Sequence, residues 1–247
     1  MTLESAFSSY ELWAAALGLV FLAEVVYVAL GFGAGMIALG GLVLFTGDPQ
    51  SAVVILLVVT APVQIWVILR ERQFDTSFLP LMIGIAIGVP LGTYVLRSFE
   101  PRVLLLTVGV ILVLAAVSVM FKTSAGKRIR WLEGPIGILS GTLSGGFGTG
   151  GSPLILYFQW VGLARSKFRS ATMTMFFVAT LARIPSYAAA GLFQPPRLVA
   201  AFTLVPAVIA GILVGQQVHS RLPEPVFRRI VLVVLAGLGL TLILRNA

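Results

Sequence analysis

The chain of 247 residues contains no cysteine, which excludes disulfides, thiolate chemistry and cysteine-ligated metals. Its one histidine, His219, leaves no imidazole cluster to hold a metal. Neither an HExxH nor a GxSxG sequence occurs, and no Walker-type phosphate loop. Zinc-hydrolase, serine-hydrolase and self-contained ATPase readings fall with them. Charge is scarce as well: 11% of residues are Asp, Glu, Lys or Arg, against roughly 25% in a soluble domain. The expectation is a protein without metal or cofactor, and not an enzyme.

What is abundant is apolar surface. Hydrophobic residues make up 58% of the chain, with a mean hydropathy of +1.03. Too few polar groups remain to cover a water-facing exterior, so the solvent that fits is a bilayer. At about 20 apolar residues per spanning helix, the length allows about ten segments and no soluble domain. The formal charge of +8 sits in short loops between apolar runs. That placement follows the positive-inside rule and does not suggest a nucleic-acid partner. The N-terminus has no basic region before its first apolar run, so that run is expected to be a retained helix.

Ten segments can be drawn: a (12–30), b (34–45), c (51–69), d (78–96), e (102–121), f (131–144), g (152–163), h (170–190), i (198–218) and j (226–244). Two long-short-long-long-long series are visible. Gly31-Phe32-Gly33 matches Gly146-Phe147-Gly148 at an offset of 115, and Gly88 and Gly92 match Gly211 and Gly215 at an offset of 123. Glu100-Pro101 and Glu224-Pro225 open the last segment of each series. The expected fold is therefore all-α and membrane-integral, with two inverted repeats of five helical segments, each containing a Gly-rich broken or re-entrant hairpin. Residues 1–121 form the first repeat, 122–130 a basic cytoplasmic connector, and 131–247 the second repeat. With all ten segments counted, 12 Lys and Arg residues lie in loops on one side and 4 on the other, and Arg183 lies inside segment h. Counting a+b and f+g as single spans removes the bias, at 8 to 8. The biased solution places both termini outside the cytoplasmic membrane.

The two glycine-rich breaks are the candidate site: Gly31, Phe32, Gly33, Ala34 and Gly35 in the first half, and Gly146, Phe147, Gly148, Thr149, Gly150, Gly151 and Ser152 in the second. Irregular backbone at membrane depth is tolerated where it is buried in protein or lines a wet cavity. A short helix follows each break, and its N-terminus offers N–H donors and partial positive charge to an anion. The two breaks are expected to face one substrate between them. The competing reading is that glycines only permit close helix packing, and it is preferred for Gly84, Gly88 and Gly92. Thr142, Ser144, Thr149, Ser152 and Gln159 flank the second break. Their polar groups suit oxyanion oxygens, or their own helix backbone.

Two ionisable residues fall within apolar runs, and such residues are functional candidates. Arg183 suits an anionic substrate, or an ion pair with Glu24; Glu24 suits proton coupling. Gln64, Trp66 and Tyr187 are softer candidates, while Trp13, Trp131 and Trp160 read as interfacial anchors.

The doubled break, above all Ser144 to Thr172 (SGGFGTGGSPLILYFQWVGLARSKFRSAT), resembles the sulfite exporter TauE/SafE family of membrane transporters. The resemblance covers essentially the whole chain; the first break, GFGAGMIAL, departs by lacking the proline that follows the second. It implies transport of sulfite, sulfoacetate or related sulfonates and carboxylates. The reading is a secondary transporter of small anions, an exporter using alternating access, with an anion channel or a membrane subunit of a multi-component permease as alternatives. Its partners are a small anion and the lipid bilayer, with a homo-oligomer left open.

Overall fold

A computed structural model describes residues 7, 9–30, 34–71, 74–120, 126–219, 233 and 236–245. The described residues form helices with no strand: α1 (Tyr10–Leu30), α2 (Ala34–Thr46), α3 (Pro49–Glu71), α4 (Leu79–Ser98), α5 (Pro101–Met120), α6 (Arg130–Phe147), α7 (Gly151–Val161), α8 (Arg165–Ala189), α9 (Pro195–Thr203) and α10 (Val205–His219). A 3-10 turn, Thr76–Phe78, precedes α4, and a last helix, α11, covers Ala236–Arg245. Gly31-Phe32-Gly33, residues 122–125 of the basic connector, both termini and the loop with Arg221, Arg228 and Arg229 lie outside the described residues.

Among the described residues, three helical stretches are long and apolar enough to cross a membrane: Tyr10–Val28, Thr76–Ser98 and Pro195–Gly215. The surface of α4 shows why lipid is their solvent. Ile83, Ile87, Leu91 and Tyr94 recur at helical spacing and are all exposed, while Leu81, Ile85, Val89 and Leu96 are buried. A helix apolar on its exposed face as well as its packed one is suited to a hydrocarbon surround.

One correction concerns segment i, drawn as one helix over 198–218. The chain breaks at Leu204 between α9 and α10. Pro206 stands second in α10, where its missing N–H is harmless, and α9 closes with the Leu204 N–H donating to the Ala201 carbonyl at 3.1 Å.

The helices form two compact units. One comprises Met1–Val59, Phe99–Met120 and Phe193–Ala247; the other comprises Thr60–Ser98 and Phe121–Leu192. The boundary falls within α3, and each unit draws on both halves of the sequence.

In the first unit α10 packs on α1 through glycines. A Cβ on Gly211 would lie 2.7 Å from the Phe21 carbonyl oxygen, and one on Gly215 would lie 3.1 Å from that of Val25. The α5 and α11 backbones meet at Gly109 and Gly239, where an added Cβ on Gly239 would stand 2.8 Å from the Gly109 oxygen. Asp48 caps α3, accepting from the Gln50 and Ser51 N–H groups at 3.0 Å each. Arg197 of α9 pairs with that carboxylate at 3.3 Å.

In the second unit α4 lies against α6 with almost no side chain between them. A Cβ on Gly84, Gly88 or Gly92 would come within 2.5, 2.2 or 2.0 Å of the carbonyl oxygens of Gly134, Ile138 and Thr142. Small residues every fourth position let two backbones approach this closely, and dispersion then holds them without a hydrophobic driving force. The packing reading of Gly84, Gly88 and Gly92 therefore holds. Beside this pair Phe78, Leu81, Ile85, Leu154, Phe158 and Met175 build the unit's apolar core.

Candidate functional site

The second unit contains the described glycine-rich break. Helix α6 ends because Gly148 adopts φ 65°, the left-handed region that favours a residue without Cβ. Its N–H donates to the Ser144 carbonyl at 2.9 Å, and the Thr149 N–H donates to Leu143 at 3.2 Å. The chain then reverses. Near the break, the Ser140 hydroxyl donates to the Gly150 carbonyl; further away, the Tyr157 hydroxyl donates to Glu133 at 3.0 Å. These two ties run α7 back along α6 as a helical hairpin.

Helix α7 starts at Gly151 with no side-chain cap. Its first-turn N–H groups lie beyond reach of intrahelical acceptors, with Pro153 the one residue there that has no N–H to offer. Immediately before it, Thr149 is 1% exposed, and its buried hydroxyl has no hydrogen-bond partner among the described residues. An orphaned buried hydroxyl is costly unless a ligand or water completes it.

Helix α8 supplies the opposite wall. Phe176, Thr180, Arg183 and Tyr187 follow one another at four, three and four residues, one face of a helix. Leu181, Ile184 and Ala188 lie exposed on the other. The Tyr187 hydroxyl donates to the Gly145 carbonyl at 2.8 Å and accepts from the Arg183 guanidinium at 3.3 Å. Phe176 lies against Gly151: an added Cβ there would be 3.0 Å from its Cζ. Tyr187 thus meets the chain before the break and Phe176 meets it after, with Arg183 and Thr180 between them along α8. Arg183 is 4% exposed, so its charge is held within the unit. Thr180 donates to Gln64 of α3.

The sequence candidates separate accordingly. Tyr187 meets the break at Gly145 and carries Arg183 beside it. Gln159, with a buried oxygen that finds no partner among the described residues, lies seven residues beyond Ser152, about 10 Å by helical rise; one small ion cannot touch both. Thr142 takes the ordinary course, bonding the Ile138 carbonyl of its own helix at 2.9 Å. In the first unit Ala34 and Gly35 begin α2. Glu24 is buried on α1 beside Gly211, and its Oε2 has no hydrogen-bond partner among the described residues. Ser140 and Phe176 were not legible as site residues; only their helical register against the break reveals them.

One end of the second unit is tied by charge. Arg128 holds the fully buried Glu133 through two contacts of 2.6 and 3.1 Å, also donates to the Ser77 carbonyl at 2.5 Å, and lies over the Phe78 ring. Lys167 pairs with Asp75 at 3.1 Å. Burial raises the Asp75 pKa, but hydrogen bonds from Ser77 and the Lys167 ammonium outweigh it and hold the carboxyl below its ordinary value.

Helices this apolar, three of them among the described residues long enough to span a bilayer, are those of a membrane protein. The chain belongs to the sulfite exporter TauE/SafE family, whose profile matches residues 16–242; its members are exporters, not enzymes. The chain is similar to a protein of Cupriavidus necator named "Probable sulfite/organosulfonate exporter TauE", with 28% identity over 225 residues covering 87% of each chain. No solved structure matches it.

Proposed function

We propose that this chain exports small sulfur oxyanions or organosulfonates, of the sulfite and sulfoacetate type, across the cytoplasmic membrane as a secondary transporter. The observation that carries the reading is the start of α7, which has no side-chain cap, beside the buried Thr149 hydroxyl, which has no hydrogen-bond partner among the described residues. Backbone N–H groups and a hydroxyl suit an oxyanion, and Arg183 supplies the compensating charge. Gly146 to Ser152 form this site, with Gly31 to Gly35 as the counterpart in the first repeat. The substrate class is supported by the family and by the name of the C. necator relative.

Alternating access between two inverted five-segment repeats, 1–121 and 131–247, is the mechanism proposed, with both termini outside. Support comes from matched local geometry. Gly47 and Gly162, 115 residues apart, follow the two short helices with φ 65° and 71°. Gly88 and Gly92 face carbonyls four residues apart on α6, and Gly211 and Gly215 do the same on α1.

Export agrees with the energetics: an interior-negative potential drives an anion outward by about 2.3 kcal/mol per charge per 100 mV. Glu24 is proposed as the residue coupling a proton to the cycle. The test is flux of labelled sulfite or sulfoacetate in oriented proteoliposomes. Interior-negative potential, with the cytoplasmic face inside, should speed efflux; Arg183→Ala should abolish anion binding in a monodisperse protein; and Glu24→Gln should alter the pH response. Potential-independent flux unaffected by either substitution would refute the reading.

A further inference from the structure

The walls of the second break differ in what they can yield. An added Cβ on Gly145 would meet the Val89 carbonyl at 2.1 Å, one on Gly150 the Ser140 carbonyl at 2.3 Å, and one on Gly146 the Gly92 carbonyl at 3.1 Å. These neighbours are helix backbone and cannot move without separating helices. At Gly151 the neighbour is a side chain: an added Cβ would lie 3.0 Å from Cζ and 3.2 Å from Cε1 of Phe176. A ring can rotate about χ1 and χ2, so this is the adjustable wall of the break. It stands at the first residue of α7, a helix start with no side-chain cap.

We propose that Phe176 is the size filter of the anion site, setting how large an organic group an oxyanion can carry when it binds at the start of α7. The inference rests on the reading of that helix terminus as the anion site. A sulfonate has three oxygens on one side of sulfur and its carbon substituent on the other. With the oxygens turned to the α7 N–H groups and the Thr149 hydroxyl, the substituent points away from the helix end. Phe176 occupies α8 opposite that end. Cζ and Cε1 of the ring stand nearest Gly151, and the bulk of the ring obstructs a longer carbon chain while leaving room for the small oxyanion head. Arg183 lies two turns further along the same face of α8, where it attracts charge without reading size.

The experiment is competition by sulfite, methanesulfonate, sulfoacetate and hexanesulfonate against labelled sulfite. It uses the full-length protein in proteoliposomes, comparing wild type with Phe176→Ala, Phe176→Leu and Phe176→Trp, and with Phe202→Ala on the exposed side of α9 as control. Phe176→Ala should strengthen competition by hexanesulfonate about tenfold, with sulfite changed less than about threefold. Phe176→Leu should fall between, keeping the test alive if the alanine variant does not fold. Phe176→Trp should weaken sulfoacetate more than sulfite. Equal changes for sulfite and hexanesulfonate in folded variants, or no change in either, would overturn the filter and leave the anion site standing. Failure of wild type to bind sulfite or any sulfonate would overturn the site and the filter together.

Discussion

A single hydroxyl joins the charge on α8 to the turn that ends α6. Tyr187 is fully buried; it accepts from Arg183 and donates to the Gly145 carbonyl. Tyr187→Phe keeps the ring and removes both bonds. It should cost about 1–3 kcal/mol, the penalty of leaving buried polar groups unmatched, and should weaken anion binding. Thermal unfolding in detergent and a binding isotherm measure the two effects, and an unchanged melting temperature would show the bonds to contribute nothing. Arg183 was legible in the sequence because an arginine interrupting an apolar run stands out. Tyr187 was only a soft candidate, since tyrosine is at home in membrane interfaces, and Phe176 was one phenylalanine among many apolar neighbours. Asp75 gives a pH prediction at this scale. Its folded pKa lies below the ordinary 3.8, so its contribution to stability is present above the ordinary value and is lost as pH falls through the folded one. The protein should therefore lose stability in acid below about pH 4, and Asp75→Asn should flatten that limb of a melting-temperature profile.

Helix pairing is decided by where a side chain has no room. Gly92→Ala would put a Cβ 2.0 Å from the Thr142 carbonyl, whereas an added Cβ on Gly134 of α6 meets nothing within 4 Å. The first substitution should separate α4 from α6 and cost several kcal/mol, about the range of severe overpacking. The second should be neutral, or stabilising by up to about 1 kcal/mol through helix propensity. Melting temperatures of the two variants check both; equal effects would mean the α4–α6 approach is not limiting. The segments themselves were legible because apolar runs end at Gly, Pro and charge. The division between α9 and α10 was missed because Leu204 and Val205 continue the hydrophobicity without a gap, and the break lies in backbone geometry, to which hydropathy is blind. The spacing of Gly84, Gly88 and Gly92 foretold a packing face, but its partner on α6 could be known only in three dimensions.

At the scale of the molecule, the membrane class followed from composition, while the proposed orientation rests on loop charge. The absence of cysteine makes it testable without background. A cysteine at Lys127 should react with an impermeant thiol reagent only from the cytoplasmic side, and one at Asn246 only from outside; reaction of both from one face would refute the inverted arrangement. The compact units could not be read from the linear order, because each gathers helices from both halves of the chain. That interleaving has a consequence for biosynthesis. When α4 leaves the ribosome, its glycine face has no partner until α6 has been made, and α1 waits for α10 until nearly the whole chain exists. A gene divided within 122–130 would yield two fragments, each holding one member of both pairs and neither able to complete its own packing. Expressed singly they should be degraded; expressed together they should find each other in the bilayer and restore the intact exporter.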